Sequence, residues 1–205
     1  MAVPTFPGMD HDTFWQILDD ARARAGRGAD DRGAPDDPLP RTLTSLLVER
    51  LQPEEILAFA DVADDVGAEA YTWPVWGAAY LIEGGCSDDG FMDFRDGLVL
   101  AGREVFTRAV AAPDSLADHP VVSGMSGDDA GWFGYESLGS LVRRAWAQST
   151  GRDDESYYAA RAAGASSSGH GNEAGPSADP SGESWDFDDE DENRRRLPRL
   201  TALFG

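Results

Sequence analysis

The chain has 205 residues, 41% of them apolar and 10% aromatic, enough for one substantial core with an appendage. With 38 acidic residues against 17 basic ones, every base an arginine, it carries a net charge of −21. Such a surface repels nucleic-acid phosphates and anionic lipid, so it disfavours direct binding to either and favours cationic partners.

Asp10 or Asp12 can cap a first helix, in which Phe14, Trp15, Ile17, Leu18 and Ala21 recur at helical spacing. Gly26 to Pro38, with paired Asp and two Pro, reads as a polar loop. Leu43, Leu46, Leu47 and Leu51 mark a second helix. Pro53 opens a third, at a position where its missing N–H costs nothing. There Ile56, Phe59, Ala63 and Val66 share one face, and Glu54, Asp61, Asp64, Asp65 and Glu69 lie on the other. Tyr71-Thr72-Trp73-Pro74 starts a fourth helix with an aromatic stripe of Trp73, Trp76 and Tyr80, and Gly84-Gly85 ends it.

Ser87 is a natural N-cap for a fifth helix, and Asp88 and Asp89 suit its positive end. Phe91, Phe94, Leu98, Val105 and Phe106 carry the apolar stripe of that helix through about Val110. His119 to Asp129 reads as a loop. A sixth helix carries Trp132, Phe133, Leu138, Leu141, Val142, Ala145 and Trp146 and closes at Ser149-Thr150-Gly151. Ala162 to Gly182 turns to Ala, Gly, Ser and Pro, a composition that buries too little apolar surface to offset chain entropy. The last part joins an acidic, aromatic run from Glu183 to Glu192 to Arg194, Arg195 and Arg196 and an apolar tail of Leu197, Leu200, Leu203 and Phe204, delimited by Pro198.

The expected architecture is therefore mainly all-α: an N-terminal extension (1–9), a helical domain of about six helices (10–161, loop 26–38), a flexible linker (162–182) and a segment (183–205) that docks back on the domain. No alternation of period two supports a sheet. The longest apolar stretch, Trp73 to Ile82, is about half of the roughly 20 residues a bilayer crossing needs. The N-terminus lacks the basic and apolar regions of a secretory signal, and a single cysteine, Cys86, leaves no internal disulfide; both suit a cytoplasmic protein.

Without lysine there is no Walker A loop, Schiff-base enzyme or kinase-type ion pair. One Cys with His11, His119 and His170 excludes zinc fingers, zinc ribbons and HExxH, and the three histidines read as surface residues. The alternating acids Asp186, Asp188, Glu190 and Glu192 lack the Gly and the twelfth-position Glu of an EF-hand. Nothing calls for a cofactor or identifies a catalytic set.

Several segments are similar to a bacterial family known as domain of unknown function 4240. They are Asp12-Thr13-Phe14-Trp15, Trp76-Gly77-Ala78-Ala79-Tyr80-Leu81-Ile82 and Gly84-Gly85-Cys86-Ser87-Asp88-Asp89-Gly90-Phe91, continuing through Phe94-Arg95 to Gly102-Arg103-Glu104-Val105-Phe106. Pro113 to Leu116 and the tail Trp185-Asp186-Phe187 with Arg196-Leu197-Pro198-Arg199-Leu200 also match. The chain departs at Gly97, where the resemblance leads one to expect a large aromatic. The resemblance implies a mostly helical fold and no particular activity.

Three functional readings follow. In the first, the chain is a non-enzymatic module binding a protein partner, a basic one by charge, through Asp61, Asp64 and Asp65 and through Trp185 and Asp186. In the second, Trp76, Tyr80, Glu83, Cys86, Asp88, Asp89 and Arg95 line a pocket for a small ligand or an unrecognised reaction, although aromatics at this spacing more often pack a core. In the third, the acids mimic nucleic acid.

Overall fold

The computed structural model describes residues 9–31, 37–126, 132–168 and 179–205. The expectations for residues 1–8, for 32–36 in the first loop, for 127–129 at the end of the second, and for linker residues 169–178 with His170 lie outside these residues.

The fold is all-α. Helix α1 (His11–Ala25) starts where Asp10 accepts a hydrogen bond from the Thr13 amide at 2.7 Å, and it buries Phe14, Trp15, Ile17, Leu18 and Ala21. A 3-10 turn (Gly26–Asp30) leads towards α2 (Pro38–Arg50). Helix α3 (Pro53–Glu69) has Pro53 in its first turn, and the Glu55 carboxylate accepts from the Gln52 amide at 2.7 Å. Helix α4 (Trp73–Glu83) is capped by Thr72, and α5 (Asp88–Leu100) by Ser87, which accepts from the Gly90 amide at 3.2 Å.

The helix expected to run on to Val110 breaks at Ala101-Gly102, where Gly102 adopts φ 93, and resumes as α6 (Arg103–Ala111). Arg22 donates to the freed Leu100 carbonyl at 2.8 Å, so the break leaves no orphaned acceptor there. The expected loop after His119 is partly helical: a 3-10 turn (Pro113–Asp118) precedes the short α7 (Pro120–Met125). His119 is not a surface residue but 4% exposed, with its ring edge-on to Phe133 at 5.2 Å.

Helix α8 (Leu138–Thr150) begins six residues later than expected, because Trp132 to Ser137 cross the molecule without regular structure. Helix α9 (Asp154–Ser168) takes in the first residues of the expected linker. It is held by Tyr157 packed edge-on to Trp146 at 5.7 Å and by Arg161. The tail forms α10 (Glu190–Arg196) and α11 (Pro198–Phe204) on either side of Leu197-Pro198.

Helix α1 packs on α2, α2 and α3 pack on α8, and α11 packs on α4 and on the 113–118 turn. One apolar core runs through all of them, with Leu197 and Leu200 of the tail inside it. The described residues contain no strand, only an isolated bridge between Thr72 and Ser181. No described helix is long and apolar enough to cross a membrane.

Candidate binding face

The small residues of α4 receive the tail. Trp185 lies against Gly77 so closely that a Cβ there would overlap its six-membered ring. Its indole N–H donates to Asn193 at 2.8 Å, and the Arg196 guanidinium lies 4.8 Å from the ring. Phe187 covers the stripe of Trp73, Trp76 and Tyr80, and the Tyr80 hydroxyl donates to Asp188 at 2.7 Å. On its other side Trp76 stacks on Phe91 at 4.8 Å and donates to the Cys86 carbonyl at 3.0 Å. Trp76 and Tyr80 are thus partly covered by the chain's own C-terminal segment and stay half-buried, and Trp185 and Asp186 make contacts within the chain, Asp186 accepting from the Asp188 amide at 3.0 Å.

Arg95 extends from the edge of this group to α3. It donates to the Gly67 carbonyl at 3.1 Å at the end of α3 and lies over the rings of Tyr71 and Phe91. Burial pulls its pKa below the ordinary arginine value, and its Nε is buried with no acceptor. Asp88 and Asp89 stay exposed at the start of α5. Glu83 and Cys86 come together beside Trp76, Arg95 reaches the same Phe91 ring on which Trp76 stacks, and Asp88 and Asp89 stay at the exposed start of α5.

Sequence reasoning overlooked a neighbouring face. At 100° per residue, Asp89, Met92, Asp93 and Asp96 fall on one side of α5. The 132–137 segment runs beside it, and backbone N–H groups of the segment and of Leu138 at the start of α8 tie it down. Gly134 N–H donates to Glu83 at 3.2 Å, Tyr135 N–H to the Asp93 carbonyl at 2.8 Å, and Leu138 N–H to Asp96 at 2.7 Å. Trp132 folds over Gly134, so that a Cβ on Gly134 would meet the indole at 2.7 Å. Met92 is 57% and Trp132 37% exposed, and with Tyr158 they are the exposed large apolar side chains among the described residues. The signal was present in the sequence as three carboxylates and a methionine at helical spacing, hidden beneath the stronger apolar stripe.

Glu83, Asp89, Asp93, Asp96 and Glu136 make no ion pair with an arginine among the described residues. Burial pushes Glu83 up to about 7 against the opposing hydrogen bond from Gly134, with Asp93 adding repulsion. Burial also lifts Asp96 to about 6, opposed by the Leu138 amide and Arg95. Asp93 is raised by burial and by Glu136 and Asp89. Cys86 is pushed up to about 12, first by burial and then by Glu83 and Asp93, so at neutral pH it is a thiol and no nucleophile.

Two of these carboxyls hold their protons more tightly folded than unfolded. Their contribution to stability is complete below their unfolded values, near 4, and is lost as pH rises through about 6 for Asp96 and about 7 for Glu83. Discounted for partial exposure, the pair is expected to make the chain about 2–3 kcal/mol more stable at pH 5 than at pH 8. A thermal midpoint roughly 5–10 °C higher at pH 5 checks this. Glu83→Gln with Asp96→Asn should flatten the profile; a midpoint that rises towards pH 8 would refute the assignment.

A match over residues 9–148 to the family model described as a protein of unknown function (DUF4240) settles kinship. The chain belongs to the DUF4240 family. No curated protein and no solved structure matches it. The matched DUF4240 region holds α1 to most of α8, and so both Glu83 and the whole α5 face. The tail that covers α4 lies beyond it. The departure at Gly97 has a structural counterpart, since a Cβ there would overlap the Phe133 carbonyl and the Gly134 backbone.

The acidic face expected on α3 is partly occupied. Arg161 of α9 binds Asp61 at 2.6 Å and Asp64 at 2.8 Å, while Asp65 is exposed. The tail acids are engaged as well: Glu190 with Arg194, and Glu192 with Arg195 and Arg196, which holds Glu192 down at about 2. Among the described residues no three His, Cys, Asp or Glu are grouped to hold a metal ion.

Proposed function

We propose that this DUF4240 chain is a binding module, not an enzyme, and that the α5 face with its crossing segment takes an arginine- or lysine-bearing segment of a protein partner. The observation that carries this reading is the set of carboxylates without arginine partners, Asp89, Asp93 and Glu136, beside the exposed Met92 and Trp132. Unpaired acids supply steering and register for a cationic partner, and a rigid exposed indole supplies contact area and a surface for a cation. Asp61 and Asp64 already have a cation in Arg161 and offer less to a partner. The pocket reading loses support because Phe187 packs against Trp76 and Tyr80 and Asp188 takes the Tyr80 hydroxyl.

The test compares the intact chain with Asp89→Asn/Asp93→Asn/Glu136→Gln and, separately, Trp132→Ala, each immobilised and exposed to extract of cells that express the protein natively. A protein held by the intact chain, released by salt and bound about tenfold more weakly by the triple variant is the expected result. Asp61→Asn/Asp64→Asn should retain it. A partner held equally by every variant, or no partner, would overturn the proposal.

A further inference from the structure

We propose that Glu83 and Asp96 form a proton-operated latch on the 132–138 segment, closed while their carboxyls are protonated and loosened as they ionise. This deepens the reading of the α5 face, because the segment carries Trp132 and Glu136, but the latch can be observed without any partner.

The geometry supplies the moving part and its fasteners. Residues 132–137 have no regular structure, and carboxyls from α4 and α5 hold the Gly134 amide and the amide of Leu138, the first residue of α8. The hinge is strained: Ser137, directly before α8, has φ 65, the one positive value outside glycine among the described residues. A side chain in that region costs energy that only surrounding contacts maintain. Ser137 Oγ accepts from the Ser140 amide at 3.1 Å and so keeps α8 capped at that place.

Around the fasteners negative charge accumulates from every side. Glu83 faces Asp93 of α5 and the Cys86 thiol. Asp93 faces Asp89 and, across the crossing, Glu136 of the segment itself. Asp96 faces Asp93 and Asp64 of α3, with Arg95 the cation nearest in effect. Beside it lies a small cavity of about 30 Å³, room for about one water, which Asp64 and the Asp-bound Arg161 of α9 also line.

The direction follows from which influence is larger. An ionised carboxylate accepts a backbone N–H more strongly than a neutral carboxyl does. At both Glu83 and Asp96, however, burial outweighs that gain, and repulsion from Asp93 adds to burial. Parting the ties at Gly134 and Leu138, with Phe133 still seated beside Phe94 and His119, lets water reach both groups and relieves both penalties. Ionisation therefore favours the lifted state; the closed state loses ground as pH rises from the ordinary carboxyl range near 4, and the change is complete once Asp96, at about 6, and Glu83, at about 7, have ionised.

Amide hydrogen exchange, normalised for the chemical rate, reads the latch directly on the full chain. Between pH 5.5 and 8 the protection of Gly134, Tyr135 and Leu138 is expected to fall about tenfold or more, beyond any fall at core amides of α2. Glu83→Gln/Asp96→Asn keeps the acceptors and cannot ionise, so its segment protection should be level across the range; Glu83→Gln and Asp96→Asn singly should each show part of the change. Protection that is flat in the wild type, or that falls equally in the double variant, would overturn the latch. Partner binding lost in Asp89→Asn/Asp93→Asn/Glu136→Gln with a flat exchange profile in the wild type would leave the binding face standing and remove only the latch.

Discussion

Deleting residues 179–205 is expected to cost the domain most of its stability, even though the whole of the family match lies upstream. Leu197 and Leu200 are 2% and 0% exposed, and Trp185 and Phe187 cover the flank of α4. Each fully buried large apolar side chain contributes about 1.5–3 kcal/mol, so the segment supplies on the order of 5–10 kcal/mol. Typical domains have a total of about 5–15 kcal/mol, so the shortened chain should melt more than roughly 10 °C below the intact one or lose cooperative unfolding altogether. The Asp114 carboxylate, which accepts from the Arg199 and Leu200 amides, and the Tyr80 hydroxyl would lose their partners as well. Gly77→Leu tests the same contact without shortening the chain, since its side chain must enter the space of the Trp185 ring. Release of the tail to protease in Gly77→Leu, with the midpoint lowered, is the expected outcome. A shortened chain that melts within about 3 °C of the intact one would show that the tail merely rests on the surface.

The sequence makes some of this architecture plain and conceals the rest for identifiable reasons. Helix starts are local: Asp10, Pro53, Thr72 and Ser87 act through backbone groups three residues away or less, and each lies where a helix begins. The break at Ala101-Gly102 is not local. The apolar spacing continues across it, and the carbonyl it frees is satisfied by Arg22, 78 positions earlier. Helix α9 is similar, because an Ala- and Ser-rich segment says little by itself, and its anchors Trp146, Asp61 and Asp64 come from α8 and α3. Trp132 and Phe133 look like the start of a helix because aromatics at that spacing usually are. Here Phe133 is wholly buried beside Phe94 and His119, while Trp132 lies on the outside. For the candidate face, Glu83, Asp89 and the aromatic stripe were legible. Asp93, Asp96 and Glu136 acquire meaning only when the crossing segment lies against α5, and Arg161 alone decides that Asp61 and Asp64 are already paired.

Gly97 is the position where local preference and tertiary packing disagree most sharply, and it yields the second large effect. In an exposed helix interior, glycine to alanine gains about 1 kcal/mol from helix propensity. At Gly97, within α5, the new methyl would overlap the Phe133 carbonyl and the Gly134 backbone, neither of which is the yielding end of a flexible side chain. The crossing segment must move, straining its ties at Glu83 and Asp93 and the seat of Phe133. Overpacking of this kind costs typically about 1–3 kcal/mol, so Gly97→Ala is expected to lower stability by up to about 2 kcal/mol after the propensity gain is subtracted. Gly97→Phe, one large aromatic of the kind that the family resemblance leads one to expect, cannot be accommodated with the segment in place. Displacing Phe133 from its closed site resembles deleting it, a loss of about 3–5 kcal/mol. Thermal unfolding measures both, and the tryptophan emission that is lost on Trp132→Phe should report a changed environment in the Gly97→Phe variant. A melting point raised by Gly97→Ala would mean that the 132–138 crossing yields freely, and that α5 needs no glycine there. With an aromatic at this position the crossing has to take another path over α5, so residue 97 decides whether Trp132 is laid beside the carboxylate face at all.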